Sequence, residues 1–222
     1  MSKNFVVRTT VDIFDKFKTI IKSGNYEKII LEIMNSSQKI FNGKYVHNKE
    51  QSHGECDFVN LINRKKYDAK LPFSKKQGKL IGSKKHDYYA WLITMIDEAS
   101  EFDNIAGTRE KIDVENLILY KTIKDRLNTV EKDENLILFF PFPILSCDAP
   151  NAVMLQFSRN ILTVVFNALE NNGLVNGRQI YAIYPCMSNY LAIRHLNKRV
   201  CEYVSSEPLK NYIDYNINIV GY

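Results

Sequence analysis

Two acids and a lysine, Asp57, Asp68 and Lys70, have the residue types and spacing to do chemistry in this chain. They lie between Gly54 and Phe73, where two strand-like runs, Cys56 to Ile62 and Tyr67 to Phe73, flank a polar turn. Side chains two apart on a strand share a face, so Asp68 and Lys70 project together. Asp57 joins them only if the hairpin loop holds an even number of residues. A four-residue loop, Ile62 to Lys65, pairs Leu61 with Lys66 and sets Asp57 opposite Lys70. Asp68 is then the diagonal neighbour, at roughly 7–8 Å between backbones. Two carboxylates and a lysine suit metal-assisted hydrolysis of a phosphodiester. Mg²⁺ prefers hard oxygen ligands and keeps several waters, so one or two acids suffice. The metal polarises the phosphate and acidifies water, while the lysine orients that water and offsets charge growing on the phosphate oxygens.

The flanking elements must hold this hairpin. A first helix is expected after Thr9 or Thr10, with Val11, Phe14, Phe17, Ile20 and Ile21 as its stripe. A second is expected over Tyr26–Phe41, with Ile29, Ile30, Ile33, Met34, Ile40 and Phe41 on one side and Asn42-Gly43 as its stop. Lys44-Tyr45-Val46 reads as a short strand. Residues 74–86 read as a basic loop, Tyr88–Phe102 as a helix, and Val114–Val130 as a helix whose first half could be a strand. Leu136–Leu145 reads as a buried strand, Ala152–Leu169 as an apolar helix and Gln179–Tyr184 as a strand. The tail is expected to hold a helix around Tyr190–Tyr203 and a strand at Ile217–Val220. On the far face of the hairpin, Phe58, Ile62, Tyr67, Ala69, Leu71 and Phe73 are mostly apolar and suit packing against the helix at 88–102.

Asp57, then a short gap, then Asp68-x-Lys70 resembles the PD-(D/E)XK nuclease superfamily. The resemblance covers about residues 26–145, in the order α-β-β-β-α-β, with motif identity confined to residues 57–70. Cys56 stands where that family usually has proline, and Asp68 is an accepted variant of the commoner glutamate. The resemblance implies an α/β fold with a restriction-endonuclease-like core, a mixed central sheet flanked by helices. It implies one nuclease-like domain over residues 1–222, its core at about 26–145 and a C-terminal helix/strand extension over 146–222. The expected activity is that of a Mg²⁺-dependent DNA endonuclease, a restriction enzyme or another prokaryotic defence nuclease, with Mn²⁺ able to substitute. Asp57 and Asp68 would hold the metal, and Lys70 would position the attacking water. Many members add a glutamate from the preceding helix. Glu27, which flanks the apolar stripe, is favoured over Glu32, which points away from it. Such enzymes often act as homodimers. The alternative is a non-catalytic nucleic-acid-binding or assembly subunit with the same fold.

Composition agrees with a nucleic-acid partner without requiring one. The chain carries +5 overall. Between Gly43 and Lys85 lie eleven Lys or Arg against four acids, a surplus of seven that leaves −2 for the remainder. A phosphate backbone selects such a concentrated segment, and Lys65, Lys66, Lys75, Lys76, Lys84 and Lys85 are its candidate contacts. The apolar content of 45% excludes disorder, and no apolar run reaches the roughly 18 residues of a membrane span. Met1 to Phe5 lacks the core of a secretion signal, and four scattered cysteines without a CxxC pair favour a reducing cytoplasm. Weaker candidates are a Cys186/His195 nucleophile–base pair, Cys147 and Asp148 after a strand, and His47, His53 and His86 around the basic segment. A small-molecule enzyme would need a cavity near Cys147 or Cys186. The C-terminal tyrosines suit a core or a dimer interface better than base stacking.

Overall fold

A computed structural model describes residues 26–48, 56–71, 113–140, 151–187, 190–205 and 207, with backbone alone for 151–160 and 185–187. The helices expected over 9–24 and 88–102, the basic loop at 74–86, the strand at 217–220, Cys147, Asp148, His53 and His86 lie outside those residues.

Helix α1, Tyr26–Ser36, forms on the expected stripe, and Ile29, Ile30, Ile33 and Met34 are all fully buried. Each such side chain contributes about 1.5–3 kcal/mol by leaving water. The helix ends five residues before the expected Phe41, and a distant carboxylate explains why. Glu202 accepts hydrogen bonds from the Ser37 hydroxyl (2.6 Å) and from the backbone N–H groups of Gln38 (2.8 Å) and Ile40 (2.9 Å). Those amides are spent on a strand 162 to 164 residues away instead of on a further helical turn. The Ser37 hydroxyl in turn accepts from the Phe41 amide at 2.8 Å.

Three short strands follow: β1 (Tyr45–His47), β2 (Phe58–Asn60) and β3 (Lys66–Lys70), each antiparallel to the next. A 3₁₀ turn, Val114–Asn116, leads into α2 (Ile118–Leu127). Strand β4 (Glu134–Phe139) then pairs parallel with β3, and all six of its residues are buried, as suits a strand covered on both faces. Helix α3 (Asn151–Asn171) leads to β5 (Ile180–Met187), parallel to β4. The expected helix at 190–203 is instead a hairpin, β6 (Tyr190–His195) and β7 (Val200–Ser205). Leu191 and Ile193 alternate with Ala192 and Arg194 to send two rows of side chains to opposite faces, which fixes strand over helix. Strand β4 is described to Phe139, and residues 141–145 of the expected strand lie outside the described residues.

The seven strands form one mixed sheet in chain order, so the C-terminal elements extend the same sheet. One face packs α2 and α3 against Leu136, Leu138, Ile180 and Ala182. The other packs α1 against Phe58, Tyr67, Ala69, Ile137 and Phe139. The apolar face of the β2–β3 hairpin therefore meets α1, while Ile62 stands 78% exposed in the loop. Among the described residues no helix is long and apolar enough to cross a membrane.

Candidate functional site: a carboxyl pair and a lysine at the end of β3

The hairpin loop has the even parity that the site requires, one residue earlier than its spacing suggested. Phe58 pairs with Tyr67 and Val59 with Lys66, and the Asn60 amide donates to the Lys65 carbonyl at 3.0 Å. The loop is thus Leu61–Arg64, not Ile62–Lys65. Asn60 decides the shift. Its buried side-chain oxygen accepts from the amides of Ile62 (2.8 Å) and Asn63 (3.2 Å), an Asx turn that starts the loop at Leu61. Arg64 closes it at φ 59°, the left-handed position of a four-residue turn.

Extending that register one step sets Asp57 opposite Asp68, with Lys70 as the diagonal partner. This reverses the expected roles of Asp68 and Lys70 but keeps all three on one face. The trio sits at the carboxyl end of β3, beside parallel β4, on the side that carries α2. That is where open α/β sheets leave a crevice.

Asp57 and Asp68 are 8% and 5% exposed, and their carboxyls hydrogen-bond to each other. One of the pair therefore holds a proton. Burial is the largest influence on Asp68 and the hydrogen bond with Asp57 the next, and together they push it up to about 7 against the pull of Lys70. Burial also raises Asp57, but accepting from Asp68 and from the Ala69 amide favours its charged form. Asp68 is thus the donor and Asp57 the acceptor. The Asp57 Oδ2 to Ala69 amide bond is 2.7 Å, and Asn48 N–H donates to the Asp57 carbonyl at 3.0 Å, so neighbouring strands fix this residue on both sides. Lys70 Nζ donates to Asp68 Oδ1 at 2.6 Å and is itself partly exposed.

Three residues at the rim carry charge or polarity toward this centre. Glu27, in the first turn of α1, is half-buried and raises Asp57 electrostatically, whereas Glu32 is exposed on the outer side of the helix. The Tyr26 hydroxyl is raised by burial above all, and it hydrogen-bonds the Glu27 carboxyl. Arg126, in the last turn of α2, lies within electrostatic reach of Asp68 and Tyr26, and its Nε donates to the Leu71 carbonyl at 2.9 Å. Nothing in the spacing of Tyr26 or Arg126 marked them. Their roles follow from which ends of α1 and α2 the sheet brings beside β3.

The other sequence candidates do not gather here. His195 is buried on β6, stacked on Tyr181 at 4.5 Å and hydrogen-bonded to Gln179, and burial pushes it down to about 4. It pairs with Tyr181 on β5, five positions from Cys186, whose side chain lies outside the described residues. His47 packs on the Phe58 ring at 5.1 Å. Lys66 is held by Asp133 at 3.0 Å on the surface. Among the described residues no group of three or more His, Cys, Asp or Glu is arranged to hold a metal ion. The donors in the centre are two carboxylates that crowd one proton between them. That set fits a hard divalent cation which keeps most of its waters and relieves the charge repulsion the proton now relieves. No family model matches the chain, and neither a curated protein nor a solved structure matches it.

Proposed function

We propose that the protein is a metal-dependent DNA endonuclease of the PD-(D/E)XK kind, with a restriction-endonuclease-like core and Asp57, Asp68 and Lys70 as its catalytic centre. The observation that carries this reading is the convergence of the three side chains at the carboxyl end of β3, with direct contact between Asp68 and both of the others. Among the described residues the order α1-β1-β2-β3-α2-β4, with β3 and β4 parallel, supports it, being compatible with the order the resemblance implies.

Asp57 and Asp68 would hold Mg²⁺ or Mn²⁺. When bound, such an ion polarises the phosphate and makes water a nucleophile near neutral pH. The chain's own residues do the rest. Asp68 must surrender its proton before both carboxylates can act as oxygen donors, which ties activity to the alkaline side of about pH 7. The Ala69 amide keeps Asp57 aimed into the centre. Lys70 Nζ, which donates to Asp68 Oδ1 at the edge of the centre, would orient water and stabilise the charge that builds on the phosphate oxygens.

A non-catalytic DNA-binding or assembly subunit is the competing reading. It is favoured by the direct Lys70–Asp68 ion pair, which occupies the lysine. Plasmid nicking separates the two. The nuclease reading expects relaxation of supercoiled DNA in Mg²⁺, its loss with EDTA and its loss in Asp68→Asn. DNA binding without nicking under any divalent ion supports the subunit.

A further inference from the structure

The centre just described is anionic. Among the described residues, Asp57, Asp68 and Glu27 outnumber the neighbouring lysine, Lys70, which is engaged with Asp68. A phosphodiester approaching it needs a cationic partner of its own. Arg126 is placed for that task. It projects from the face of α2 that buries Thr122 and Ile123, whereas Lys121 and Lys124 on the same helix are exposed to solvent. Its Nε is anchored on the carbonyl of Leu71, the residue after Lys70, so the guanidinium plane is fixed to the strand end that presents the site. Among the described residues the two terminal nitrogens of that fork donate no hydrogen bond, and Asp125 on its own helix and Asp68 in the centre are the carboxylates whose charges reach it.

We propose, on the nuclease reading above, that Arg126 binds the phosphate of the scissile bond, a fork clamp opposite the carboxyl pair that holds the nucleic-acid backbone while Lys70 acts on water. An arginine suits this better than a lysine. One donor can be spent on positioning while the two at the tip remain to grip phosphate oxygens side by side. Partial burial of the guanidinium strengthens each such bond by excluding water.

The test uses the full chain with Arg126→Lys and Arg126→Met. Both variants lose the Leu71 bond, but only the second loses the charge. Binding of a short duplex is measured in Ca²⁺ across a range of salt, and cleavage in Mg²⁺ is resolved into kcat and KM. The expected result for Arg126→Met is affinity weakened at least about tenfold, a raised KM and a salt slope shallower by about 0.9, one phosphate contact. Arg126→Lys keeps the slope and recovers part of the affinity. If both variants bind and cleave equally poorly, the Leu71 anchor alone matters and the assignment is overturned. It is also overturned if Arg126→Met cleaves with unchanged KM and slope while the wild type is active. An inactive wild type removes the nuclease reading itself, and this assignment with it.

Discussion

Asp68→Asn replaces a buried carboxyl with a group of the same shape that cannot ionise, so it isolates the consequence of the shared proton. In the folded chain Asp68 titrates at about 7, against 3.8 for a free aspartate. Between about pH 5 and pH 7 the folded protein therefore holds a proton that the unfolded chain has released. Unfolding free energy falls as pH rises wherever the folded state binds more protons, at about 1.36 kcal/mol per unit for one proton. Over that window the wild type loses about 2–3 kcal/mol from this residue. The variant has no such slope. Removing Asp68 also leaves Lys70 without its partner, but that ammonium is partly exposed, so the loss is under about 1 kcal/mol. The two proteins should be of similar stability near pH 5, and Asp68→Asn should be the more stable by about 2 kcal/mol at pH 8. Urea unfolding of both at matched pH values reads the difference directly. Cys56, raised by burial, titrates in each protein and cancels, whereas Glu134 is raised by burial and then by Asp68, so its share of the slope also shrinks in the variant. Parallel curves from pH 5 to pH 8 would falsify the claim that Asp57 and Asp68 share a proton.

Other residues give further tests. Asn60→Ala removes the acceptor that sets the hairpin loop, so it should cost about 1–3 kcal/mol in thermal unfolding and should reduce cleavage by misplacing Asp57. Unchanged stability would show that the loop needs no Asx turn. Glu202→Gln should also destabilise, because a charged acceptor of Ser37, Gln38 and Ile40 becomes neutral. Those hydrogen bonds hold Glu202 below the usual glutamate range despite its burial, so its contribution is present above about pH 4.5 and is lost as pH falls through its folded value. Acid unfolding that is identical in wild type and Glu202→Gln would refute this. Mg²⁺ affinity should rise with pH through about 7 and level off above it, measured calorimetrically, because binding must expel the Asp68 proton. A pH-independent affinity would place the metal elsewhere.

The site was legible because strand alternation and hairpin parity are local properties. Asp57, Asp68 and Lys70 could be assigned to one face from spacing alone, and they share it. The register was misjudged by one residue because Asn60 looked like a strand residue, whereas its side chain opens the turn. Long-range effects left no local trace. The end of α1 at Ser36 depends on Glu202, far along the chain, so the continuing apolar spacing through Phe41 was misleading. The β6–β7 hairpin was hidden because its apolar residues fit helical spacing about as well as alternation, until pairing with β5 decides between them. Arg126 and Tyr26 have no motif at all. They enter the site only because α2 ends and α1 begins beside β3.

The most direct test of the central claim is single-turnover cleavage of duplex DNA in Mg²⁺ at pH 8 by the wild type, Asp57→Asn, Asp68→Asn and Lys70→Ala, each with its thermal unfolding midpoint measured alongside. A cutting wild type and at least about a hundredfold slower cleavage in every variant are expected, with all four folded, since each variant would remove a proposed metal ligand or the proposed transition-state charge. Undiminished cleavage in any one folded variant, or no cleavage by the wild type, would contradict it.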